Sequence, residues 1–70
     1  MKVEFQHNDV IITTVDLEIP VYEEDIIKIF NKNYVVWETY HDIEIDDLGV
    51  HEKIVCDVIT EEEREECDKK

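Results

Sequence analysis

Residues 34–59 read YVVWETYHDIEIDDLGVHEKIVCDVI, two runs rich in β-branched and aromatic residues on either side of Asp46-Asp47-Leu48-Gly49. Such side chains pack well on a pleated surface, and the intervening four residues hold the only glycine of the chain, so the stretch predicts a hairpin. Its first strand covers 34–45 and its second 50–59. Along the first, Val35, Trp37 and Thr39 face opposite to Val36, Glu38 and Tyr40. The apolar positions then move to Ile43 and Ile45, which predicts a bend or bulge near His41.

Upstream of this hairpin the period changes. From Tyr22 to Lys32, Tyr22, Ile26, Ile29 and Phe30 share one helical face, and Glu23, Glu24 and Asp25 fill a first turn where the macrodipole favours anions. Asn33 would supply a left-handed stop. Farther upstream, Lys2–Gln6 and Val10–Ile19 read as two strands joined through His7-Asn8-Asp9, with Val15, Leu17 and Ile19 on one face and Asp16 and Glu18 on the other. Pro20 marks the exit from the second strand. Downstream, Thr60 and Glu63 have capping-box spacing, but the glutamate run carries almost no apolar face, so 61–70 is expected as an acidic tail or frayed helix. The sequence therefore predicts an α+β fold over residues 1–60, β-β-α-β-β, with one helix packed on a small antiparallel sheet of about four strands.

Composition limits what such a domain can do. Seventy residues form one domain that buries only about 60% of its unfolded surface, and its core is drawn from nine Val and ten Ile, with two Leu and no Ala. Twenty Asp and Glu against seven Lys and Arg leave a net charge of −13. A polyanion of this kind repels phosphate backbones, which argues against direct nucleic-acid binding and for basic partners. No apolar run reaches the roughly 18 residues of a membrane span and the start is unlike a signal peptide, so a soluble, intracellular protein is expected. Cys56 and Cys67 form no framework pattern and are read as free thiols.

The most suggestive constellation is Asp42, Glu44 and Asp46, alternating with Ile43 and Ile45. On a strand the three carboxylates project from one face about 6.6 Å apart, against a phosphate advance of about 3.4 Å per nucleotide along the axis of one DNA strand. Asp47 and Glu52 belong to the same group; Glu38 and Asp57 lie nearby in the hairpin, and Asp16 and Glu18 extend the surface if the two hairpins adjoin. Alternation with Ile also marks the wet face of any half-buried sheet. Solvation, however, is satisfied equally by Lys, Thr or Gln, and seven acids to one lysine between Glu38 and Asp57 is a costly way to achieve it.

Other chemistries fit less well. An EF-hand reading from Asp42 puts glycine eighth instead of sixth and Lys53 at the twelfth ligand position, and His41, His51, Cys56 and Cys67 match no zinc spacing. The chain has no serine, and a separation of five residues puts His51 and Cys56 on opposite faces of a strand, which leaves no nucleophile with a base. No cofactor and no enzymatic activity are expected. Phe5, Phe30, Tyr34, Trp37 and Tyr40 read as core more than as a base-stacking platform, since the basic groove such a platform needs is missing.

In its small size, its lack of serine and alanine, its acidity and its carboxylate-bearing strand, the chain resembles the phage-encoded acidic DNA-mimic inhibitors. Within them it is similar to the small phage inhibitors of the bacterial nucleoid protein HU. The resemblance extends over the whole length in size and charge character, and fold does not transfer within so heterogeneous a group. It implies a host-takeover protein that occupies the DNA-binding surface of a basic host protein, with no catalytic residues. The alternative is an acidic module that acts on another host protein, such as a polymerase subunit, a restriction factor or a toxin.

Overall fold

A computed structural model describes residues 1–68 and shows five strands and one helix: β1 (Lys2–His7), β2 (Val10–Asp16), β3 (Ile26–Ile29), β4 (Lys32–Asp46), β5 (Gly49–Thr60) and α1 (Glu61–Asp68). The strands form one sheet in the order β2-β1-β5-β4-β3. Three of the four neighbouring pairs are antiparallel, but β1 runs parallel to β5, so the sheet is mixed and curls into a half-barrel. The expected four-stranded α+β fold is thus incorrect. Among the described residues there is no internal helix, and α1 follows the last strand.

The error lies between Tyr22 and Lys32. The helical face proposed there would have buried Tyr22, Ile26 and Phe30, which are instead 64%, 70% and 79% exposed. A period of two prevails: Ile27 and Ile29 turn towards the core, Ile26 and Lys28 away from it, and β3 pairs with β4 from Ile26↔Val35 to Ile29↔Lys32. Three β-branched residues in four make this a better strand than helix. The turn falls at Phe30 and Asn31, both with positive φ (49° and 66°), so Asn31 and not Asn33 takes the left-handed conformation. Glu23–Asp25, expected as a helix start, belongs to a turn in which the Asp25 carboxylate accepts from the Tyr22 N–H at 2.9 Å.

Both outer turns follow local chemistry. Asn8 and Asp9 have φ of 51° and 66°, the all-positive pair of a tight hairpin turn. Between β4 and β5, Asp46 pairs with Gly49 across Asp47 and Leu48; the Leu48 N–H donates to Asp46 Oδ1 at 2.8 Å, and Gly49 has a φ of 122° that strains any side-chain-bearing residue. The bulge expected near His41 is at Trp37, where the pairing slips between Val36 and Glu38. Tyr34 and Val36 point into the core before it, and the odd-numbered residues take the inner face after it.

The core lies on the concave side, built from Val3, Phe5, Ile29, Tyr34, Val36, Cys56 and Val58. β2 and β3 are opposite edges of the sheet, so residues 17–25 must travel across four inter-strand spacings, about 19 Å, to connect them. Nine extended residues cover that distance, and the segment does so over the concave side, packing Leu17 and Val21 on the core. It is tied down at both ends. Leu17 and Met1 exchange backbone hydrogen bonds of 2.9 and 3.0 Å, while Val36 bonds to Glu24 and Asp25, each at 2.8 Å. Among the described residues no helix is long and apolar enough to cross a membrane.

Candidate functional site

β1 accompanies β5 no farther than Ile54, and β3 accompanies β4 no farther than Val35. Beyond those points Asp42–Asp46 and Gly49–Lys53 run on as a two-stranded ribbon, with no neighbouring strand on either edge among the described residues. Its projection explains the shape of the molecule. The radius of gyration is 13.4 Å, against about 11 Å for a compact chain of this length. The longest extent is 46 Å, close to the length of β4 at about 3.4 Å per residue.

Register decides what each face of the ribbon carries, because directly paired residues share a face. Asp42 pairs with Lys53, Glu44 with His51 and Asp46 with Gly49, so the three carboxylates project from one side, the convex outer side of the sheet. Glu38 pairs with Asp57 and continues that row past Tyr40. Gln6 links it to β1, donating to Asp57 and, at 3.5 Å, to the Tyr40 hydroxyl. Asp16, paired with Lys2, stands on the same side at the far edge. Asp47 is in the turn at the tip.

Two of the proposed residues are elsewhere. Glu52 pairs with Ile43 on the inner face and contacts His41 Nε2 at 3.2 Å. Glu18 lies in the crossing segment and lines a groove on the concave side. Neither adds to the outer row.

The row is also less uniformly negative than its acids suggest. Lys53 reaches between strands to Glu4 at 2.7 Å and stands 4.0 Å from Asp42, and its ammonium is held above the ordinary value of 10.5, chiefly by the hydrogen bond it donates to Glu4. His51 meets Asp46 at 3.2 Å, and Lys2 borders a shallow depression with Asp42 and Glu44. Glu4 itself is only 8% exposed and works as the anchor of Lys53. Sequence reasoning missed this role. Its available signal was parity: Glu4 lies on the polar face of β1, between Val3 and Phe5.

Among the described residues no three His, Cys, Asp or Glu side chains are grouped as metal ligands. Cys56 is fully buried, and that burial, with Asp57 beside it, raises its thiol above the ordinary 9.0, the wrong direction for a nucleophile. Cys67 is exposed, and neither thiol is in a disulfide.

Comparison with protein-family models, curated proteins and solved structures returns no match, so the geometry of this chain alone carries a functional reading.

Proposed function

We propose that the chain is a non-enzymatic DNA mimic that occupies the DNA-binding surface of a basic protein, with the bacterial nucleoid protein HU as the first candidate. The observation that carries this reading is the free ribbon, whose outer face holds Asp42, Glu44 and Asp46 in line at fixed spacing. A row of charges on a paired strand keeps its geometry, so it presents a partner with a pattern and not only a field. HU reads DNA through cationic surfaces largely without base contacts, as the resemblance implies, and a ligand for it need only supply anions at workable intervals. His51 and Lys53, 3.2 Å from Asp46 and 4.0 Å from Asp42, moderate the row, and Lys2 borders it.

Gel-shift competition tests this directly. Increasing amounts of the protein should release duplex DNA from purified HU, and added salt should weaken the effect, because the attraction is between net charges. A complex that stays intact at saturating protein rules out HU; release of DNA from other basic proteins would keep mimicry and change the partner.

A further inference from the structure

The reverse side of the ribbon has a different chemistry. Ile43, Ile45 and Val50 lie on the inner face at 55%, 75% and 64% exposure, and Leu48 at the tip is 88% exposed. At the base of this strip an open groove of about 290 Å³ is lined by Met1, Val3, Leu17, Ile19, Pro20, Val21 and Ile54, with Glu18 at its rim. Apolar residues thus run from the groove to the tip, interrupted on this face by the His41–Glu52 pair. None of these ribbon side chains belongs to the core, so folding does not account for them.

We infer that this strip is the interface of a homodimer, in which two ribbons stack antiparallel, apolar face on apolar face, with their carboxylate rows turned outward. Charge favours this occupant. In a chain of net charge −13, the ribbon's inner face carries a single acid, Glu52, and that acid is paired with His41 at 3.2 Å. Along the ribbon two copies can meet without opposing unpaired carboxylates, leaving only Asp47 of each tip near Glu18 at the groove rim, whereas pairing along the open strand edges would bring the whole outer rows together. A basic partner is drawn to the outer face instead.

Geometry is self-complementary as well. Six residues separate Leu48 from Ile54, about 20 Å of strand, so an antiparallel stack lays each tip over the groove of the other copy and both contacts form at once. At roughly 60–120 Å² of apolar surface per aliphatic side chain, Ile43, Ile45, Leu48, Val50, Met1 and Ile19 from both copies bury about 1,000 Å², near the lower limit for a specific interface. Stacked sheets lie about 10 Å apart, so the dimer would carry one anionic row on each side, as a duplex carries two phosphate strands. Only this last consequence rests on the proposed function; the dimer does not.

Salt gives the dimer a signature opposite to partner binding. Association of two like-charged copies should tighten as salt screens their repulsion, while attraction to a basic protein weakens. Sedimentation velocity of the full chain, over a concentration series at low and high salt, should show a dimer whose fraction rises with salt. Ile45→Thr, which keeps the charge, and Leu48→Asp should each raise the dimer dissociation constant roughly tenfold or more. Both should leave the thermal unfolding midpoint nearly unchanged. A wild-type chain that remains monomeric at millimolar concentration overturns the inference, as do variants that associate like wild type. If the chain is monomeric and Ile45→Thr instead weakens binding to HU, the strip belongs to the partner and the dimer is again excluded. A dimer that leaves the HU–DNA complex intact retains this inference and removes HU as the partner.

Discussion

The Glu63 carboxylate joins three parts of the molecule. Its Oε1 accepts from the Thr60 N–H at 3.0 Å and meets His7 Nε2 of β1 at 2.7 Å, while the Glu63 N–H donates to Thr60 Oγ1 at 3.2 Å. The capping box anticipated from spacing is therefore also the latch that ties α1, packed against β4 and β5, to His7 of β1. The Thr60 backbone bond first, and the His7 bond second, hold Glu63 below its ordinary value of 4.5. A lowered folded value means that this stabilisation is complete above pH 4.5 and is lost as pH falls through the folded value. Glu63→Gln should therefore flatten the acid limb of a stability-versus-pH curve, read by circular dichroism; identical limbs for both proteins would show that the latch is not proton-linked. The thiols offer a second measurement. Iodoacetamide at mildly alkaline pH should modify exposed Cys67 promptly and buried Cys56 only at the rate of unfolding, as mass spectrometry of timed samples would show.

At the level of elements, the hairpin between β3 and β4 breaks a local rule. Its tight turn places Phe30, a bulky and 79% exposed side chain, at a positive φ that asparagine or glycine adopts far more readily. Phe30→Asn should stabilise the fold by about 1 kcal/mol, or roughly 4–8 °C in melting temperature. A fall in melting temperature would mean that the phenyl ring makes stabilising contacts. The same turn explains why a helix was expected. Phe30 imitated the end of an apolar helical stripe that included Tyr22 and Ile26, and no Asn-Gly or Asp-Gly pair announced a hairpin. By contrast, Asn8-Asp9 and Asp46-Asp47-Leu48-Gly49 carry conventional turn residues, and both hairpins were legible.

For the whole molecule the question is whether position or bulk charge governs recognition. Replacing Asp42, Glu44 and Asp46 with Asn, Gln and Asn removes three charges, as does replacing Glu62, Glu65 and Glu66 of α1 with Gln. All six residues are exposed and outside the core. If the ribbon is the contact, the first triple should weaken binding to HU by at least tenfold more than the second and should reduce its salt dependence, measured by titration across a salt series. Equal losses would leave net charge as the sole determinant. Both triples should gain a little stability in low salt, since each relieves self-repulsion.

Composition and alternation determined that this chain would be built mainly of β-branched strands and that Asp42, Glu44 and Asp46 would share a face, because strand period and turn chemistry act over a few residues. Tertiary structure alone decided that β1 lies parallel to β5, that residues 17–25 cross the open side of a half-barrel, and that 26–29 form an edge strand. It also placed Glu52 opposite the carboxylate row and Glu4 beneath Lys53. Those outcomes depend on which distant strands share backbone hydrogen bonds and where the bulge at Trp37 reverses the faces. A one-residue slip in pairing moves every following side chain to the other side of the sheet, and nothing local in the sequence records it.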